Sequence, residues 1–198
     1  RTTLCEVGNH FSKDRGNIMN AYQGAYVKYK EYEKKVQKGF LPAAPPDLKS
    51  KQKIMILGHS YNLYDSYINM QTQEKIKAGG IEVLTSEMLT GKTIAYYARN
   101  YKGKTQGAFA KKLIGVTEYL LANGNVDGII YLSAFGCGID SVVGNIVERM
   151  IRRKSSIPFM FLNLDEHTGE GGINTRIEAF IDLIKWRDIN ENNVSSYG

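Results

Sequence analysis

Cys137 stands between two glycines in the run Tyr131-Leu-Ser-Ala-Phe-Gly-Cys-Gly-Ile-Asp-Ser141, after an apolar stretch and before a helical pattern. A thiol so placed can be an iron–sulfur ligand, a zinc ligand, a nucleophile or a small buried side chain. Gly136 and Gly138 remove bulk on either side, so a cofactor or substrate can come close to the backbone. The helix expected from Ser141 favours the thiolate form. A nucleophile needs a base within hydrogen-bond reach, and His59 and His167 are the candidates. His59, Cys137 and His167 together would also give three zinc ligands with an open fourth position. Asp165 and Glu166 can serve as general acid–base groups or metal ligands. Glu170 is better read as a cap of the final helix, where a carboxylate meets the helix dipole. Arg176 can pair with one of these acids or hold an anion. Asn62, Asp65 and Ser133 add polar groups to the same set of loops.

These side chains are far apart in sequence, so a frame must gather them. Short apolar runs at Ile54–Leu57, Ile81–Thr85, Asp127–Ser133 and Pro158–Asn163 read as buried strands. Helical patterns separate them: Tyr67–Ala78, Gly107–Asn123, Ser141–Arg153, with Val142, Ile146, Val147 and Met150 facing inward, and Ile173–Trp186. Residues 92–105 fit a short helix or a lid. The alternation predicts an α/β fold: an open, mainly parallel four-stranded sheet with helices on both faces, flavodoxin- or Rossmann-like, plus an N-terminal helix. Right-handed crossovers would put the loops after the first, third and fourth strands on one edge. His59, Asn62, Asp65, Cys137, Asp165, Glu166, His167 and Glu170 should then surround one crevice.

Residues 1–20 are polar and read as irregular, and residues 21–38 carry Tyr22, Tyr26, Tyr29 and Tyr32 on one helical face. Gly39 to Ser50 holds three of the four prolines and reads as a linker. The domain expectation is therefore a helical segment and proline-rich linker over 1–50 and an α/β domain over 51–198. The first residue is Arg1, not Met, which suggests a late part of a longer protein.

Composition narrows the classes. With 42% hydrophobic and 23% charged residues the chain can build a full core. Two cysteines cannot make a disulfide framework. A reduced, cytoplasmic setting follows as the expectation. No apolar run is long enough to span a membrane, and no nucleic-acid motif is present. The net charge is +6, and its densest group, Arg149, Arg152, Arg153 and Lys154, falls at an expected helix C-terminus that cations favour. The tyrosines, 13 in all, read as packing residues whose hydroxyls reach water. The glycines Gly169, Gly171 and Gly172 are not a dinucleotide or Walker fingerprint.

Three blocks in order carry a resemblance: Gly58-His-Ser-Tyr-Asn-Leu-Tyr-Asp-Ser-Tyr-Ile-Asn-Met70, Tyr131-Leu-Ser-Ala-Phe-Gly-Cys-Gly138 and Leu164-Asp-Glu-His-Thr-Gly-Glu-Gly-Gly-Ile-Asn-Thr-Arg176. From about Lys53 to Trp186 the chain resembles the 2-hydroxyacyl-CoA dehydratase and benzoyl-CoA reductase group, in its branch of CoA-enzyme activase-related proteins. Ser66 stands where that family usually has proline, and residues 1–50 match none of its motifs. The resemblance implies a cytoplasmic protein of an anaerobic bacterium with an iron–sulfur cluster between two related α/β domains. It also implies low-potential electron transfer driven by an ATP-dependent activator protein, and acyl-CoA as the substrate class. By position Cys137 matches a cluster cysteine, flanked by Gly136 and Gly138. A cubane takes about four ligands, mostly thiolates. With two cysteines, the chain is expected to lack the cluster and activity on its own, the missing ligands lying on an absent N-terminal domain.

Two rival classes stay open at this level. One is a zinc- or thiol-dependent hydrolase built on His59, Cys137 and His167. The other is a non-catalytic domain that binds a ligand or partner in the same crevice.

Overall fold

The structure, a computed structural model, describes residues 2–38, 52–105, 107–124, 126–165, 167 and 169–195, the side chains of 2 and 191–195 excepted. The expected proline-rich linker and Glu166 lie outside the described residues. The chain divides into two compact units, Arg1–Phe40 and Leu41–Gly198.

The first unit contains α1 (Thr2–Gly8) and α2 (Arg15–Gln37). The expectation of an irregular stretch over residues 1–20 is thus corrected. Asp14 caps α2 by accepting from the Gly16 N–H at 2.7 Å, and Ser12 Oγ accepts from the Asp14 N–H. This is a Ser/Asp start signal in a stretch read as merely polar. Along α2 only Ile18 and Val36 are buried. Tyr22, Tyr26, Tyr29 and Tyr32 stay exposed, and local pairs such as Lys30–Glu33 at 2.6 Å lace the surface.

The second unit is built on four parallel strands: β1 (Lys53–Gly58), β2 (Glu82–Thr85), β3 (Gly128–Ala134) and β4 (Phe159–Leu164), in the order β2-β1-β3-β4. The near-continuous burial of the two central strands, β1 and β3, is what a sheet covered on both faces requires. Side-chain alternation sorts two cores. Ile54 and Ile56 of β1 with Ile130 and Leu132 of β3 meet α4 (Thr72–Ala78) and α8 (Glu170–Ser195). Met55, Leu57, Ile129 and Tyr131 meet α5 (Gly91–Ala98), α6 (Gly107–Asn123) and α7 (Gly138–Lys154) on the other face. The helical option for residues 92–105 is therefore realised in α5.

The expected helix Tyr67–Ala78 is corrected to α3 (Ser60–Tyr64), a turn, and α4. Met70 and Gln71 take positive φ, 51° and 56°, which stops a helix from running through. Side chains compensate. Asp65 Oδ1 accepts from the N–H of Tyr67 and Ile68, and the Asn69 amide donates to Leu63 O. Of the residues expected inward on α7, Val147 and Met150 are buried, whereas Val142 is 62% exposed and its neighbour Val143 enters the core instead.

Registers such as Gly58↔Leu132 and Ala134↔Leu164 align the strand ends, so the loops after β1, β3 and β4 share the carboxyl edge. The chain leaves β1 toward β2 on one side and β3 toward β4 on the other. The order reverses between β1 and β3, which makes their edge the topological switch point.

Candidate functional site at the sheet's switch point

The loops after β1 and β3 bring His59 and Cys137 together and add a residue that sequence reasoning missed, Asp140. One donor atom from each of the three lies within 4.8 Å of the others. Backbone geometry explains the approach. Gly58 has φ +152°, and a Cβ there would stand 2.5 Å from Leu132 O on β3. Glycine thus lets β1 close on β3 just before His59. After β3, Cys137 N–H donates to Ala134 O at 3.1 Å, closing a turn with Gly136 at φ +77° in its third position. That position requires positive φ in a type II turn. Cys137 is then the N-cap of α7, and its thiol makes no cap bond to the backbone. A Cβ added at Gly136 or Gly138 would meet nothing within 4 Å, so space lies open on both sides of the half-buried thiol.

Asp140 is fully buried on the first turn of α7. Its Oδ1 accepts from the Tyr131 hydroxyl at 3.1 Å, and its Oδ2 from the Ala134 N–H at 3.2 Å. The carboxylate thereby ties β3, its turn and α7 into one piece. Burial, reinforced by the Asp140 charge and hydrogen bond, pushes the Tyr131 hydroxyl far above the ordinary tyrosine range. The Tyr61 hydroxyl is raised too, by burial first and then by Asp140 and Cys137, which lie within its electrostatic reach. A sequence signal for Asp140 existed: an acid three residues after a helix cap.

His59 lies flat between two rings. Its centroid is 3.6 Å from Phe109 at an interplanar angle of 5°, and 5.1 Å from Tyr61 at 12°. Its Nε2 stands 3.6 Å from Asp140 Oδ1. One turn beyond Phe109 on α6, Lys112 donates to Glu87 Oε1 at 2.7 Å, and Ser60 beside His59 donates to the same oxygen at 3.1 Å. Burial alone would push the Glu87 carboxyl up. The Lys112 charge and hydrogen bonds from Lys112 and Ser86 outweigh it, and hold that carboxyl below the usual range. This bridge fixes α6 against α3, and so Phe109 against His59.

Among the described residues, the other predicted ones do not join this three-donor group. Asn62 is buried, with Nδ2 3.5 Å from Leu132 O, and its Oδ1 has no partner among the described residues. Ser133 Oγ is 3.5 Å from Ala134 O, a local contact. Asp65 holds the turn after α3. Among the described residues His167 is not one of the three-donor group. It follows β4, and its N–H donates to Asp165 Oδ1 at 2.7 Å. Arg176 donates to Phe161 O at 2.7 Å, and Glu170 pairs with Lys75 at 2.8 Å. Asp165 and Glu170 border a separate cavity of about 580 Å³ with Tyr67, Met70, Gln71 and Leu164. His59, Cys137 and Asp140 thus form a sulfur–nitrogen–oxygen cluster at β1/β3, and Asp165 and Glu170 border a pocket beside β4.

No helix among the described residues is long and apolar enough to cross a membrane. No curated protein matches the chain. Residues 1–89 do match a family model, from α1 through β1, the His59 loop and β2, and the match ends before Cys137. It takes in residues 1–50, for which sequence reasoning had no motif. The family is described as the CoA enzyme activase uncharacterised domain (DUF2229), and over those residues this chain is similar to it, which supports the activase-related group.

Proposed function

We propose that the α/β unit supplies one thiolate, Cys137, to an iron–sulfur cluster in an activase-related protein of low-potential electron transfer to CoA-ester chemistry. The observation that carries the proposal is the position of Cys137: a helix N-cap at the switch point, with open space beside both flanking glycines. The residues fit one corner of a cluster. Four thiolates are not available, since the chain has two cysteines, Cys5 and Cys137. Further ligands would therefore come from outside this chain, from another segment of the same protein or from a partner. When bound, the cluster would supply one-electron chemistry.

The chain's own residues would prepare the place for it. Asp140 fixes the turn that presents Cys137. Phe109 and Tyr61 hold the His59 ring beside it. The pocket of about 580 Å³ next to β4 offers room for part of an acyl-CoA. The cytoplasm, and an ATP-dependent activator as electron donor, complete the proposal.

Anaerobic reconstitution with iron and sulfide, in the longest polypeptide that carries these residues, tests the assignment. Cys137→Ser should remove or alter the EPR signal of the reduced cluster. An unchanged spectrum in the variant would refute Cys137 as a ligand.

A further inference from the structure

We propose that His59, Cys137 and Asp140 form a binding site for a single divalent transition ion, of the Zn²⁺, Fe²⁺ or Co²⁺ class, within this chain on its own. The site shares Cys137 with the proposed cluster, but it rests on a separate observation. His59 Nε2 faces the buried Asp140 carboxylate at 3.6 Å, too far for a hydrogen bond. Two ligands of one tetrahedral ion, each about 2.0–2.3 Å from it, stand about 3.3–3.7 Å apart. The His59–Asp140 spacing already has that value. The three donor atoms all lie within 4.8 Å, so the sulfur needs to move by no more than ~1 Å, within the reach of a rotamer adjustment.

The donor chemistry selects the ion. One thiolate, one imidazole and one carboxylate suit a borderline metal, whereas Mg²⁺ and Ca²⁺ prefer all-oxygen cages. Thiolate and carboxylate together balance a double positive charge. Supporting contacts are in place as ligating groups require. Tyr131 and Ala134 hold the Asp140 oxygens and leave each a lone pair, and Phe109 and Tyr61 hold the His59 ring. The open side at Gly136 and Gly138 leaves a fourth position for water or a substrate atom. This set replaces the zinc ligands expected from sequence, with Asp140 taking the place given to His167.

Co²⁺ alone is the probe, added to the full 198-residue chain under reducing conditions, with circular dichroism to verify each variant's fold. The chain should take up one Co²⁺ and show a thiolate-to-cobalt charge-transfer band that Cys137→Ser abolishes. His59→Ala and Asp140→Asn should each weaken binding at least about tenfold, since even a lost supporting contact costs roughly 10–100-fold. Absence of stoichiometric binding would overturn the site. So would wild-type affinity in His59→Ala, a variant of a partly exposed side chain that remains informative if Asp140→Asn fails to fold. Failure of cluster assembly in the longer polypeptide would leave this result untouched, so the two ideas fail separately.

Discussion

Replacing Asp140 by alanine removes the side chain that ties β3 to α7, and its cost can be worked out from the contacts. The carboxylate is fully buried and accepts from the Tyr131 hydroxyl and the Ala134 N–H. An orphaned buried donor costs about 1–3 kcal/mol. The Tyr131 hydroxyl is wholly enclosed, so it counts for about 2 kcal/mol, and the half-buried Ala134 N–H for about 1 kcal/mol. Asp140→Ala should therefore lower stability by about 3 kcal/mol, a large share of the roughly 5–15 kcal/mol of a typical domain. Asp140→Asn keeps an acceptor and should cost about half as much. The assay is urea unfolding followed by circular dichroism in the presence of a chelator, read as a shift in midpoint at constant slope. Tyr131→Phe supplies the internal check. With no hydroxyl left to orphan, Asp140→Ala should cost about 2 kcal/mol less in that background. A loss under about 1 kcal/mol for the single variant, or the same loss in both backgrounds, would refute the reasoning.

Glu87 titrates below its ordinary value of 4.5 in the folded chain, so it adds stability above that pH and loses it as pH falls through the lowered folded value. Glu87→Gln should thus cost about 1 kcal/mol near neutrality, and the gap from the parent should close in acid. Urea midpoints at the two pH extremes would show whether it does. Gly115 on α6 packs against α5 so closely that a Cβ would land on the Ile94 carbonyl oxygen and stand 3.1 Å from Ala98 Cβ. Gly115→Ala should destabilise by about 1–2 kcal/mol, overpacking outweighing the gain of about 1 kcal/mol in helix propensity. Gly24→Ala on α2, where nothing lies within 4 Å, should instead raise helical stability, and thermal melts of the two variants compare them directly.

The strands were legible because burial on both faces forces unbroken apolar runs, as in Ile54–Leu57 and in β3. The order of strands and helices, and hence the shared edge of His59 and Cys137, followed from chain connectivity. The break between α3 and α4 was not legible. Tyr61, Tyr64 and Tyr67 keep a spacing that suits a continuous helix, while the interruption depends on where the amides of Asn69 and Gln73 reach, namely Leu63 O. Val142 and Val143 are adjacent and chemically alike, so residue type alone did not show which one faces the core. Asp140 was the costliest omission. Its burial depends on Tyr131, nine positions earlier, rising from the sheet to meet it. Asp165 and His167 follow β4, one strand further out than the switch point, and Asp165 borders the pocket there.

Anomalous diffraction at the iron edge, from crystals of the chain grown anaerobically with Fe²⁺, tests most directly whether the thiol at the switch point is a metal ligand. The expected result is a peak at bonding distance from Cys137 Sγ, about 2.3 Å, on the side facing His59 and Asp140. Iron bound elsewhere, with the Cys137 thiol free, would contradict it.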